Sequence, residues 1–194
     1  MGKDRTSNIL YGVGIVGGIM GLLGGAYILI GGIVWHGTEL VPFDRVLLAV
    51  GGVLGSIAYL GLYRDTGSYI PIIPFLFSNL YQIIGLLLLQ PYIHLGYFTP
   101  AYLVLWSFTL LSFGCAGYSF YMTRDEIGMV ALIAGILFII WAFLRIGVAY
   151  VIAETEDLFF YQLRAVGDTI LTIASLAYFT LALRTGQVTW SEAS

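Results

Sequence analysis

Charge is what this chain has least of. Its 194 residues include eight Lys and Arg, eleven Asp and Glu, and a single lysine, Lys3. Charged residues are 10% of the total, against about 25% in a soluble domain, too few to coat a water-facing surface. A net charge of −3, with no basic cluster, removes the footprint that nucleic acid requires. Cysteine is almost missing as well. Cys115 stands alone in an apolar run, which excludes an intrachain disulfide and any C-x-x-C metal or redox motif. No Ser–His–Asp set, carboxylate pair or H-E-x-x-H spacing is present. The chain is therefore expected to be no enzyme and to need no cofactor.

What remains is apolar. Hydrophobic residues make up 59% of the chain, and the mean hydropathy is +0.93. Apolar segments fall at 9–35, 43–63, 69–91, 98–122, 127–153 and 162–183. Each reaches the roughly 20 residues needed to cross the hydrocarbon as a helix. The runs are continuous rather than alternating, which disfavours a transmembrane barrel. The expectation is an all-α, polytopic bundle of six transmembrane helices forming one integral membrane domain over 1–194. Lys3 and Arg5 resemble the basic start of a signal peptide. The apolar run from Ile9 to Trp35 exceeds the usual h-region of about 7–15 residues, so it reads as a retained span. Lys3, Arg5, Arg64, Arg124 and Arg184 fall on one side, Arg45 and Arg164 on the other. By the positive-inside rule both termini are expected in the cytoplasm, with the chain in the plasma membrane.

Arg64, Arg124 and Arg184 recur at a spacing of sixty residues, each ending an even-numbered span. Each is followed within four residues by a glycine: Gly67, Gly128 and Gly186. Upstream stand SIAYL (56–60), CAGYS (115–119) and SLAYF (175–179). The chain thus divides into three diverged two-helix hairpin repeats, 5–64, 65–124 and 125–184, none able to bury its faces alone. With PFDRVLLAVGGVLGSIAYLGLYR and TPAYLVLWSFTLLSFGCAGYSFYMTR, this pattern resembles the HdeD-like (DUF308 short-repeat) membrane proteins. Pro91 suits that family's pattern in the second repeat, whereas the third has no proline. The resemblance implies a role in bacterial acid-stress resistance and no particular molecular activity.

GVGIVGG (12–18) matches the G-x-G-x-x-G dinucleotide fingerprint, with Glu39 22 residues after Gly17. That fingerprint needs a strand, a tight turn and then a helix. Here it lies inside one apolar span, so the cofactor reading fails. Gly14, Gly18, Gly21 and Gly25 instead share one helical face, and Gly17 adds a further four-residue step to Gly21. Such a stripe permits close helix approach in lipid, with Gly51 and Gly55 of the second span or another chain as its partner.

Ionisable groups inside spans are costly, which singles out Arg145 and Asp168. Counted from the span ends, both lie roughly 9–14 Å in, on adjacent antiparallel helices, so they are expected to pair. Gly25, Gly85 and Arg145 occupy equivalent repeat positions, so the third hairpin has exchanged glycine for a charge. Asp168, Thr172 and Ser175 share a face, and Asn79 and Gln82 stand three apart in the third span. Should these six residues face one another, the bundle has a polar interior; scattered, they act as interhelical glue. His36, His94, Glu154 and Glu156 lie at matching hairpin ends and could gather as a divalent-metal set, although no ligand spacing supports it. Two functions follow. One is a non-enzymatic protein working through helix contacts, as an accessory or structural subunit or in stress protection. Its partners would be the lipid bilayer, other transmembrane subunits or copies of itself. The other is a channel or transporter for a small polar solute or protons, using Asn79, Gln82, Arg145 and Asp168.

Overall fold

A computed structural model of the chain describes residues 5–34, 42–81, 98–155, 158–185, 188 and 189. All regular structure among them is helical: α1 (Arg5–Val34), α2 (Pro42–Thr66), α3 (Ile72–Leu80), α4 (Phe98–Met122), α5 (Arg124–Ile127), α6 (Met129–Thr155) and α7 (Leu158–Arg184). Among the described residues, four helical segments are long and apolar enough to cross a membrane: Thr6–Ala26, Leu47–Thr66, Met129–Val148 and Gln162–Arg184. The expected break at Thr123–Glu126 is itself a helical turn, α5, because Ile127 N–H reaches the Thr123 carbonyl at 3.1 Å. The glycines that follow Arg64 and Arg124 have a common cause. Gly67 and Gly128 sit at φ +68° and +79°, where their N–H groups close onto Tyr63 and Arg124 carbonyls. A side chain there would strain the helix stop. Gly186 lies outside the described residues.

The helices close a ring. α1 packs on α2, α2 on α3, α3 on α4, α4 on α6, α6 on α7, and α7 returns to α1. Close approach at three seams is set by missing side chains. A Cβ on Gly51 would stand 2.7 Å from the Gly21 nitrogen, and one on Gly117 would stand 2.7 Å from the Gly135 carbonyl. On α1 the glycine stripe is shared between two neighbours. Gly14 and Gly17 press on Ala58, Leu54 and Gly55 of α2, while Gly18 and Gly25 face Leu176 and Thr169 of α7. α1 is thus seated between α2 and α7, and the seven-residue string resolves by position: Gly12 is open, Gly14 and Gly17 are packed. All of it is uninterrupted helix.

The ring is filled by aromatic rings rather than by polar groups. Phe120 of α4 is fully buried and touches four others. Its centroid lies 4.1 Å from Tyr178, 5.1 Å from Phe138, 5.6 Å from Phe179 and 5.8 Å from Tyr59. Tyr11 of α1 stacks on Phe179 at 5.8 Å, bringing in the first helix. The tyrosines of the three recurring strings do not share an environment. Tyr59 and Tyr178 are buried, whereas Tyr118 is exposed and its near neighbour Phe120 turns inward. After α7 the chain folds back: Val188 is fully buried in this cluster and Thr189 bonds Glu126.

Two stability outcomes follow. Gly17→Val in purified, detergent-solubilised protein should lower stability by about 1–3 kcal/mol through overpacking, while Gly12→Ala should stay neutral or gain slightly. Equal thermal midpoints for the two variants would contradict the α1–α2 contact. Phe120→Ala should cost about 2–4 kcal/mol, the packing share of a core aromatic deletion, and Tyr118→Ala under about 1 kcal/mol. Denaturant titration in mixed micelles separates them.

Candidate functional site

The charged residues predicted within the spans, Arg145 and Asp168, meet in a cluster between α3, α6 and α7. Arg145 Nη2 lies 3.3 Å from Asp168 Oδ2. The other carboxylate oxygen, Oδ1, accepts a hydrogen bond from the Trp141 indole at 2.9 Å. Arg164, one turn before Asp168 on α7, brings Nε to 3.8 Å from the same Oδ2 and donates from Nη2 to the Tyr81 hydroxyl at 3.2 Å. The Arg145 guanidinium also rests over the rings of Phe113 and Tyr81, at 5.0 and 5.4 Å from their centroids. Among the described residues the cluster thus brings together one carboxylate, two guanidiniums, an indole and a phenol.

Local sequence explains how these groups reach one another. Trp141 and Arg145 are four apart on α6 and so share a face. Arg164 and Asp168 are four apart on α7 for the same reason. Gly167 completes the fit, because the Trp141 ring occupies the space that a Cβ at 167 would need. Removing one side chain thus admits the indole that holds the carboxylate. Side-chain exposure grades outward, from 11% at Arg145 to 34% at Asp168 and 36% at Arg164. The inner guanidinium is packed under aromatics, and the outer one is at the surface.

The remaining predicted polar residues do not join this cluster. Asn79 donates to Ser56 Oγ at 2.9 Å and to the Phe75 carbonyl at 2.7 Å, tying α3 to α2. Thr172 and Ser175 turn their hydroxyls back onto their own helix, to the Asp168 and Leu171 carbonyls at 2.8 Å each. Gln82, His36, His94 and Glu156 lie outside the described residues, as does the side chain of Glu154. Among the described residues no three His, Cys, Asp or Glu side chains assemble for a metal. The sequence singles out Arg145 and Asp168 but not Trp141, Tyr81 or Phe113, and Arg164 enters it only as a basic residue on the side opposite Arg64. The i, i+4 spacing of Arg164 and Asp168 was the available signal.

A second polar group closes the opposite end of the bundle, near Arg64 and Arg124. Tyr11 donates to Asp65 Oδ2 at 2.9 Å, and the Tyr178 and Thr123 hydroxyls share a hydrogen bond of 2.7 Å. Thr123 is fully buried and also bonds the Phe120 carbonyl at 2.9 Å. These contacts pin the ends of α1, α2, α4 and α7 around the aromatic hub.

Breaking one member of the ion cluster leaves the others uncompensated, whereas removing charges together does not. Asp168→Ala should destabilise by about 1–3 kcal/mol, and Arg145→Met with Asp168→Leu should cost less than the sum of the single changes. A double-mutant cycle by thermal unfolding reads the coupling. Strict additivity would show that the pair contributes nothing.

No protein-family model, curated protein or solved structure matches this chain.

Proposed function

We propose that the chain is a non-enzymatic integral membrane protein that works through its helix surfaces, as an accessory or structural subunit of a membrane assembly. Its location in this reading is the plasma membrane, with both termini cytoplasmic, on the side of Arg64, Arg124 and Arg184. The six-span, three-hairpin organisation and the HdeD-like stress-protection role belong to the same proposal. It is supported by the cyclic contact order, in which each hairpin hands on to the next.

The observation that carries the reading is the outer face of α6. Met129, Ile133, Ile136, Ile140 and Phe143 are all exposed and follow one another at intervals of four, three, four and three residues. That is the spacing of a helix-packing seam, in which apolar knobs enter the holes of a facing helix. The centre of the bundle, by contrast, is filled by the Phe120 hub. A subunit seated on the seam would bury it without disturbing the fold.

The competing transport reading rests on the partly exposed Arg145–Asp168–Arg164 cluster. Against it, Asn79 is committed to Ser56, and the aromatic hub occupies the ring on the Arg64 side of that cluster.

Gently extracted protein should run in native mass spectrometry as a defined complex. Ile136→Cys and Phe143→Cys in a Cys115→Ala background should crosslink to the partner, and an exposed control, Leu23→Cys, should not. A monomer carrying only lipid, without a crosslink, would sink the accessory reading. Proton or solute flux in liposomes that vanishes in Arg145→Leu and Asp168→Asn would establish transport instead.

A further inference from the structure

A buried hydroxyl normally has a hydrogen-bond partner, because leaving it without one costs about a factor of ten or more in the folding equilibrium. Ser56, Ser119 and Thr123 are buried and follow the rule, each bonding a backbone carbonyl three or four residues back. Ser7 does not. It is fully buried, and its Oγ has no hydrogen-bond partner among the described residues. The Oδ1 of Asn8, the next residue, is buried and unpartnered in the same way. Two consecutive oxygens in the first turn of α1 therefore require a partner from outside the chain.

The α1–α2 seam shows what Ser7 faces. Across it Gly14 meets Ala58, Gly17 meets Gly55, and Gly21 meets Gly51. Nearer the start of α1, a Cβ on Gly61 would lie 2.9 Å from the Tyr11 ring and 3.2 Å from the Ser7 carbonyl. Carried on by one more turn, the same antiparallel register sets Ser7 level with Asp65. Asp65 is half-buried, and its Oδ2 accepts from the Tyr11 hydroxyl at 2.9 Å. A carboxylate has lone pairs for further donors. A hydroxyl and a carboxylate thus stand at one level of the seam, and the hydroxyl does not bond to it. The close fit at Gly61 confines the space between them to a small ligand.

We infer that ordered water fills this corner, bridging Ser7 Oγ to the Asp65 carboxylate and donating to Asn8 Oδ1. Water meets the need of each atom, since it accepts from the serine hydroxyl and donates to carboxylate and amide oxygens. A hard cation such as calcium would gather six or more oxygens, and one hydroxyl, one amide and one carboxylate fall short of that. The corner lies at the Arg64 end of the bundle, where half-buried Asp65 leads out to the aqueous interface. α1 and α2 are then joined by glycine contact along their length and by water at this end. The inference goes beyond the accessory role and stands whether or not a partner subunit exists.

The full-length protein is reconstituted in bilayers, and magnetisation transfer from water is read by solid-state NMR. Transfer should reach Ser7 and Asn8 and spare Ser119, which is equally buried but bonded to the Cys115 carbonyl. Asp65→Asn retains a hydrogen-bonding group and should keep the Ser7 signal, whereas Asp65→Leu should lose it. In detergent, Ser7→Ala should lower the thermal midpoint by about 2–4 °C, the shift expected for one lost hydrogen bond in a chain of this size. Transfer to Ser7 no faster than to Ser119, or an undiminished signal in Asp65→Leu, overturns the inference. So does a midpoint raised by Ser7→Ala, the relief expected from deleting a hydroxyl that has no partner at all. Stabilisation by sodium chloride over choline chloride at equal ionic strength, lost in Asp65→Asn, overturns water in favour of a cation.

Discussion

The fold depends on one side chain more than on any other. Phe120 of α4 sits in contact with Tyr59 of α2, Phe138 of α6, and Tyr178 and Phe179 of α7. In a membrane the usual driving force for burying such a ring is weak, because lipid is as apolar as the interior. What holds the ring inside is packing: edge-to-face and stacked contacts that lipid chains cannot match. The hydrogen bonds at its rim then have a fixed floor on which to form. Tyr178 meets Thr123, and Tyr11 meets Asp65, only because the aromatic stack sets the spacing of α1, α2, α4 and α7.

Glycine does the complementary work. At the α1–α2 and α4–α6 seams the backbones approach until a single Cβ would collide, which maximises van der Waals contact along those lines. At Gly167 the same omission serves the polar cluster, since the space it leaves is occupied by the indole that orients Asp168. Packing and electrostatics are therefore coupled at this site: a methyl group on α7 would displace Trp141 and release a carboxylate oxygen. The cluster is held by aromatic neighbours, with Arg145 packed beneath them and Arg164 at its outer edge.

Much of the helical architecture was legible in the sequence, and for direct reasons. Apolar runs such as 129–148 and 162–184 are long enough to cross a bilayer, and no soluble surface could be built from so few charges. Arg145 and Asp168 were legible as well, because a charge inside such a run stands out. The roles of Tyr81, Phe113 and Trp141 were not. An aromatic residue in an apolar span carries no mark that separates a hub, a lipid-facing ring and a charge partner. Tyr118 and Phe120 illustrate the point. The sequence pattern aligned Tyr118 with Tyr59 and Tyr178, yet helical rotation exposes it and buries its neighbour two positions on.

The glycine stripe draws the same line. By itself the sequence determined that α1 would be a helix with a smooth face, because glycines at four-, three- and four-residue steps align on one side of any α-helix. It equally determined that GVGIVGG could not be a phosphate-binding turn, since nothing in that run allows a strand to end. Tertiary structure alone decided which helices fill the stripe. Contact depends on the rotation and register of neighbours distant in the chain, so α2 takes one flank and α7 the other. The same dependence turned Arg164 from an isolated charge into the outer edge of a cluster with Asp168, Arg145 and Tyr81.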